Sequence, residues 1–181
     1  ALWEDGKCRA LYYQNCGLTH SKTLLPMTED LLNNCGIRAG DIDLLAVSSG
    51  PGSFTGLRIG TATVKGLMWG LDKPACGVST LEAMAWQVCA CFPDKIICAA
   101  MDAKRSQIYN ALFLAGKDGP ERLTEDRAIS MDELKNELRC FDKEIMLVGD
   151  GAELCYSSGI NAILAPENIR YQNAWGVALA A

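Results

Sequence analysis

A glycine-rich segment is the clearest candidate for chemistry in this sequence. Residues 50–60 read Gly-Pro-Gly-Ser-Phe-Thr-Gly-Leu-Arg-Ile-Gly and lie between a short apolar run and a predicted helix. Glycines let the backbone approach a ligand closely, and free N–H groups at a helix N-terminus attract anions. The residues that would form such a loop are Gly50, Gly52, Ser53, Thr55 and Gly56.

This segment matches neither of the common phosphate-binding loops. It has no Gly-Lys-Ser/Thr triplet, which a Walker A loop requires, and Gly56 comes one residue too late for the G-x-G-x-x-G dinucleotide fingerprint. Two interpretations therefore stand. The segment is either a phosphate cradle or a tight structural turn whose helix is capped by Ser53 or Thr55.

The other candidate side chains are one histidine and two carboxylates. His20 is the only histidine, so the sequence has no histidine pair for a metal and no ready base for a Ser or Cys nucleophile. A solvent-facing or capping role suits it better. Asp102 and Asp150 each follow an apolar run, and ligands bind at strand ends in open α/β sheets. They are possible cleft residues, and the alternative is a carboxylate that only fixes a turn. The sequence predicts no catalytic residue and no metal site.

Composition excludes several classes of protein. The chain has 181 residues, 49% of them hydrophobic, and a net charge of −5, which argues against a free-standing nucleic-acid binder. Its apolar runs, such as Ile96–Met101, are far shorter than the roughly 20 residues of a membrane span. The nine cysteines include no C-x-x-C pair, so we expect buried free thiols in a reducing cytoplasm. A thiol-regulated module using Cys89 and Cys91 is the weaker alternative.

The elements of the first half can be predicted from local patterns. Asp5-Gly6 predicts a hairpin turn. Apolar residues at helical spacing predict a helix that ends at Gly36, with Thr23 as its cap and Pro26 in its first turn. A strand at 44–47 and a helix from about Leu57 to Gly70 enclose the glycine-rich segment. Small residues recur every four positions in the second helix, so another element can approach its backbone closely.

The second half repeats this alternation of strands and helices. Strands are predicted at 74–78, 96–101, 106–114 and 145–148, with helices at 80–90 and 131–138 and the polar stretch 115–127 as a loop with a possible edge strand. Ser79 or Thr80 and Ser130 are the expected caps. The pattern predicts an α/β chain of two lobes, residues 1–93 and 94–181.

Four segments together resemble the bacterial TsaB (YeaZ) family. They are His20–Pro26, Ser49–Gly60, Lys65–Leu67 and Asp102–Tyr109, and the resemblance runs in register over almost the whole chain. It implies the two-lobe actin-like, sugar-kinase and heat-shock ATPase (ASKHA) superfold. A first strand carrying Asp-Thr-Ser and some tens of C-terminal residues, usual in the family, are absent here. We therefore expect the centre of the first-lobe sheet to be missing.

The resemblance also implies a function. TsaB proteins are non-catalytic partners that activate TsaD, which transfers a threonylcarbamoyl group to position 37 of tRNA, and TsaE is an ATPase that joins the pair. No cofactor is expected on this subunit, with ATP or ADP bound only within the complex, and tRNA is contacted only indirectly. The first two helices of the family form the surface for TsaD and for a homodimer. Its residues here are Leu24, Leu25, Thr28, Leu31, Leu32, Arg58, Thr61, Ala62 and Lys65.

One alternative from a different class is an enzyme. An ATP-using phosphotransferase or a peptidase-like enzyme of the same superfold would work through the glycine-rich loop and Asp102. The missing Walker lysine, second histidine and paired catalytic carboxylate weigh against it.

Overall fold

The chain opens with a short antiparallel hairpin. The computed structural model describes residues 1–14, 17 and 20–181. Strands β1 (Leu2–Glu4) and β2 (Lys7–Ala10) pair, and Asp5 and Gly6 turn between them with φ angles of 49° and 74°. Positive φ at both turn residues is the geometry that Asp-Gly favours, so the predicted hairpin is confirmed.

Helix α1 (His20–Cys35) starts earlier than the sequence predicted. Pro26 consequently lies inside the helix, and the expected position in the first turn is wrong. Proline has no backbone N–H, so the helix passes it with the loss of one internal hydrogen bond. The predicted end is confirmed, because α1 stops at Cys35 and Gly36 adopts a φ of 67°.

A strand–helix–strand unit follows α1 and a short 3-10 turn at Ala39–Asp41. Strands β3 (Leu45–Gly50) and β4 (Ala75–Ser79) are parallel, and helix α2 (Phe54–Leu71) connects them. A β-carbon at Gly60 would lie 3.4 Å from Val47 of β3. This glycine therefore lets α2 lie close to the strand, as the row of small residues predicted.

The large sheet lies in the second half of the chain. Its strands are β5 (Ile96–Lys104), β6 (Gln107–Ala115), β7 (Pro120–Arg122), β8 (Arg127–Ser130), β9 (Ile145–Val148) and β10 (Ile163–Leu164). They run in the order β10, β9, β5, β6 and β7, and β8 also pairs with β6. The long hairpin of β5 and β6 is antiparallel, whereas β9 is parallel to both of its neighbours, β5 and β10.

Helices cover both faces of the large sheet. The helices are α3 (Thr80–Cys89), α4 (Met131–Leu138), α5 (Ala152–Ser157), α6 (Glu167–Arg170) and α7 (Ala174–Ala180). Side chains of β5 alternate between two apolar clusters: Ile97 packs in the cluster with α3, and Ile96 packs in the cluster with α4 and α5. Burial on both faces accounts for the uninterrupted apolar run of this strand.

Burial is distributed unequally along the chain. Among the described residues before Thr80, only Leu31 and Val78 are buried hydrophobic side chains, and α2 contains no buried residue although its composition is apolar. The core sits instead around the large sheet. Helix α3, which precedes the predicted boundary after residue 93, packs against that sheet. The two-lobe boundaries and the missing first strand stay predictions.

The cysteines divide into buried and exposed thiols. Cys89, Cys98 and Cys155 are buried as predicted, but Cys91 is exposed because α3 ends at Cys89 and the chain turns there. Cys8 and Cys140 are also exposed, and Cys16 lies outside the described residues. Burial raises the pKa of the Cys155 thiol to about 11 and that of the Cys98 thiol well above its ordinary value.

These thiols give a test of the core. Iodoacetamide at pH 8 should alkylate Cys8, Cys91 and Cys140 in the native protein and spare Cys98 and Cys155. The free energy of unfolding should fall as pH rises from the ordinary thiol pKa of 9.0 towards 11, because the unfolded thiols ionise first. Peptide mass spectrometry and urea titrations at several pH values measure both effects. Rapid labelling of Cys98 in the folded protein would contradict this packing.

Candidate functional site

The glycine-rich segment is a turn that leads from β3 directly into α2. Ser53 caps the helix, since its hydroxyl oxygen accepts a hydrogen bond from the Gly56 N–H at 3.4 Å. The helix therefore begins at Phe54, three residues before the predicted start near Leu57, and Thr55 lies within its first turn. This supports the structural-turn interpretation with Ser53 as the cap.

This turn needs glycine for a backbone conformation rather than because a side chain would lack room. Gly50 has a φ of 127°, which side-chain-bearing residues rarely adopt. A β-carbon at Gly52 would make only ordinary contacts, 3.8 Å from Leu57 and 3.8 Å from Met101 of β5. The turn thus packs near the carboxyl end of β5, where the candidate carboxylates lie.

Asp102 is held by its own hairpin. Its two carboxylate oxygens accept hydrogen bonds from the Lys104 backbone N–H at 2.8 Å and from the Lys104 ammonium at 2.6 Å. The Lys104 side-chain hydrogen bond is the main reason that the pKa of Asp102 lies below its usual value. Both oxygens are therefore already used in fixing the turn between β5 and β6.

Asp150 lies at the end of the neighbouring parallel strand. It is exposed, and one carboxylate oxygen accepts a hydrogen bond from the Gln172 side-chain amide at 3.1 Å. Its charge contributes to the raised pKa of Lys104, after the larger effects of Asp102 itself. The structure thus brings Asp102, Lys104 and Asp150 to one end of the sheet. Within the described residues, no group of three or more His, Cys, Asp or Glu side chains could hold a metal ion.

The predicted partner surface lies on α1 and α2, which pack against each other. We call the surface of α1 and α2 that contains the nine residues predicted above the α1–α2 face. Leu25 is its most accessible apolar member on α1, with 52% of its surface exposed. Leu24, Thr28, Leu32 and Thr61 are half-buried, and Arg58, Ala62 and Lys65 are exposed. Leu31 is buried, so it supports the face from behind and cannot itself reach a partner.

Two aromatic residues of this region were missed by sequence reasoning. Phe54 and Trp69 are 73% and 86% exposed. Both lie on the helical stripe of α2 that carries Arg58 and Lys65, so their spacing from those residues was the available signal. His20, the first residue of α1, is exposed. None of the helices built from the described residues is both long and apolar enough to cross a membrane.

Comparison with known proteins connects this arrangement to a family. Residues 14–143 match the family model described as TsaD: tRNA N6-adenosine threonylcarbamoyltransferase. The chain is 36% identical over 152 residues to the tRNA threonylcarbamoyladenosine biosynthesis protein TsaB of Escherichia coli (strain K12), covering 83% of this chain and 65% of that protein. The chain belongs to the TsaB (YeaZ) family. The TsaB of Bacillus subtilis (strain 168) is 30% identical over 154 residues, covering 85% of this chain and 66% of that protein.

A solved structure of the family confirms the fold. YeaZ from Pseudomonas aeruginosa superposes with a TM-score of 0.79 at 24% identity, covering 98% of this chain and 82% of that one. The mixed α/β architecture is thus the ASKHA-like fold that the TsaB resemblance implied. The chain spans just under two thirds of the length of the Escherichia coli and Bacillus subtilis TsaB proteins.

Proposed function

We propose that this chain is the non-catalytic partner that pairs with a TsaD-type catalytic subunit and activates it in the formation of threonylcarbamoyladenosine at position 37 of tRNA. The observation that carries the proposal is the α1–α2 face, where apolar side chains such as Leu25 stand in solvent. An exposed apolar surface on a folded chain is typical of a protein–protein interface. The names of the Escherichia coli and Bacillus subtilis relatives supply the pathway.

The arrangement of the carboxylates supports assigning the catalytic chemistry to the partner. Both oxygens of Asp102 accept hydrogen bonds from Lys104 within its own turn, and Asp150 accepts one from Gln172, 22 residues further along the chain. We assign no cofactor to this subunit, and ATP or ADP belongs to the complex. A TsaE-type ATPase is the third member of this cytoplasmic complex. The net charge of −5 supports only indirect contact with tRNA.

Co-expression with a TsaD-type subunit tests the pairing, and reconstitution tests the activation. Threonylcarbamoyl-adenylate, tRNA, the TsaD-type subunit and the TsaE-type ATPase are combined with or without this chain, and the modified nucleoside is measured by mass spectrometry. We expect the chain to raise the yield by about tenfold or more, within the range of typical coupling between binding partners.

The chain alone should give no modified nucleoside. Tight binding and turnover of Mg-ATP by the isolated chain would instead favour the ATP-using phosphotransferase or peptidase-like enzyme. Failure to bind the TsaD-type subunit would overturn the proposal. If the chain self-associates and does not bind the TsaD-type subunit, the homodimer is the pairing that this surface forms.

A further inference from the structure

A network of charged side chains connects the first half of the chain to the large sheet. Its centre is Arg122 of β7, whose guanidinium donates hydrogen bonds to Glu82 of α3 at 2.8 Å and to Asp126 at 2.7 Å. The same guanidinium lies over the Phe113 ring, 4.8 Å from its centroid. We give the name Arg122 network to four residues: Ser79, Glu82, Arg122 and Asp126.

Asp126 extends the network to the end of β4. Its second carboxylate oxygen accepts a hydrogen bond from the Ser79 hydroxyl at 2.5 Å, and the Ser79 oxygen accepts one from the Glu82 N–H at 3.2 Å as the cap of α3. Ser79 is the last residue of β4 and pairs with Gly50, where the glycine-rich segment begins. The network therefore reaches from the edge strand β7 to the start of that segment.

The bonds of this network are long-range and partly shielded from water. Arg122 lies 40 residues from Glu82 along the chain, and Ser79 lies 47 residues from Asp126. Only 26% of the Arg122 side chain is exposed, against 87% of the Arg38 side chain in its surface ion pair. Partial burial reduces screening by water and salt, so a guanidinium bound by two carboxylates stabilises the fold more here than a surface ion pair does.

The β3–α2–β4 unit, residues 45–79, has little apolar core of its own. Val78 is its only buried hydrophobic residue, and α2 contains no buried residue. A two-stranded sheet is marginally stable by itself, and regions with few buried apolar contacts open at a lower free energy than the core. The unit therefore depends on contacts outside itself, and the Arg122 network supplies polar ones at the end of β4.

We infer that the Arg122 network fixes the β3–α2–β4 unit, with its glycine-rich segment, against the large sheet, and that breaking the network lets this unit open while the large sheet stays folded. The two sides of the network belong to different sheets, because Ser79 ends β4 and Arg122 lies on β7. The inference concerns the chain by itself, so it does not depend on the proposed function.

Hydrogen–deuterium exchange of the whole chain, followed by mass spectrometry, tests this inference. Arg122→Met keeps an apolar stem over Phe113 and removes the charge. Amides of residues 54–79 should then exchange about tenfold faster, as expected for the loss of hydrogen bonds to a charged group, while β5 keeps its wild-type rate. Arg122→Lys, which lacks the planar fork for two carboxylates, should give an intermediate rate. If Arg122→Met does not fold, Asp126→Asn, of nearly the same shape, should show the same pattern at about threefold.

Arg127→Met is the matched control. The Arg127 side chain is 31% exposed, and it binds Glu137 and Asn110, which both lie in the second half of the chain. Its loss should leave exchange in residues 54–79 at the wild-type rate. If Arg122→Met speeds exchange only in residues 120–126, the network holds only its own loop and the inference is wrong. Equal acceleration of residues 54–79 by both variants would also overturn it, because a general loss of stability would then be responsible.

Discussion

Replacing Gly149 with alanine should destabilise the protein by about 3 kcal/mol or more, which lowers the melting temperature by roughly 6–12 °C for a chain of this size. Gly149 follows β9 with a φ of 104°, and a β-carbon there would lie 2.1 Å from the Ala100 carbonyl oxygen of β5. That oxygen also accepts a hydrogen bond from the Gly151 N–H. The alanine would therefore force the turn away from β5, and thermal unfolding followed by circular dichroism measures the loss.

Gly159→Ala is the matched control for this change. Gly159 also has a positive φ, 91°, but a β-carbon there would meet nothing within 4 Å. It should cost only the backbone strain of about 1 kcal/mol. Equal melting temperatures for the two variants would show that close contact with β5 is not what requires glycine at position 149.

This packing explains the segment Gly149-Asp150-Gly151 without a ligand. A β-carbon at Gly151 would lie 2.9 Å from the Met101 carbonyl carbon, so both glycines let the turn press against β5. The position of Asp150 at the sheet end follows from that contact. Its predicted place in a cleft stays a prediction.

Local sequence signals predicted the features that depend on neighbouring residues. Ser79 and Ser130 cap α3 and α4 as expected, with the Glu133 side chain completing a capping box at α4. Such caps involve atoms only three residues apart, so their residue types and spacing suffice to find them. The Asp5-Gly6 turn and the helix end at Gly36 belong to the same class.

Features that depend on distant parts of the chain were harder to predict from the sequence. The polar stretch 115–127 was predicted as a loop with a possible edge strand, and it does hold the edge strand β7, whereas β8, which begins at Arg127, was not predicted. Both strands form because they pair with the buried strand β6. Neither strand has an apolar pattern of its own. The exposure of Trp69 was missed because the composition of α2 is apolar on every side, and the one local signal was its spacing of four residues from Lys65.

The α1–α2 face makes a second large prediction, which concerns binding. Leu25→Glu should weaken pairing with the TsaD-type subunit by about 100-fold or more, because a carboxylate would be buried against an apolar partner without a compensating charge. Leu25 is 52% exposed in the free chain, so its own stability should change by no more than about 0.5 kcal/mol. Co-purification and titration calorimetry measure the first effect, and thermal unfolding measures the second.

Leu154→Glu supplies the matched control, because Leu154 is 49% exposed on α5 and lies outside the α1–α2 face. The same change of charge there should leave pairing intact. If Leu25→Glu co-purifies with the TsaD-type subunit as well as Leu154→Glu does, α1 is not part of the contact. If both variants lose pairing, added negative charge rather than the position of Leu25 is responsible. Loss with Leu25→Glu alone places the contact on α1, within the α1–α2 face.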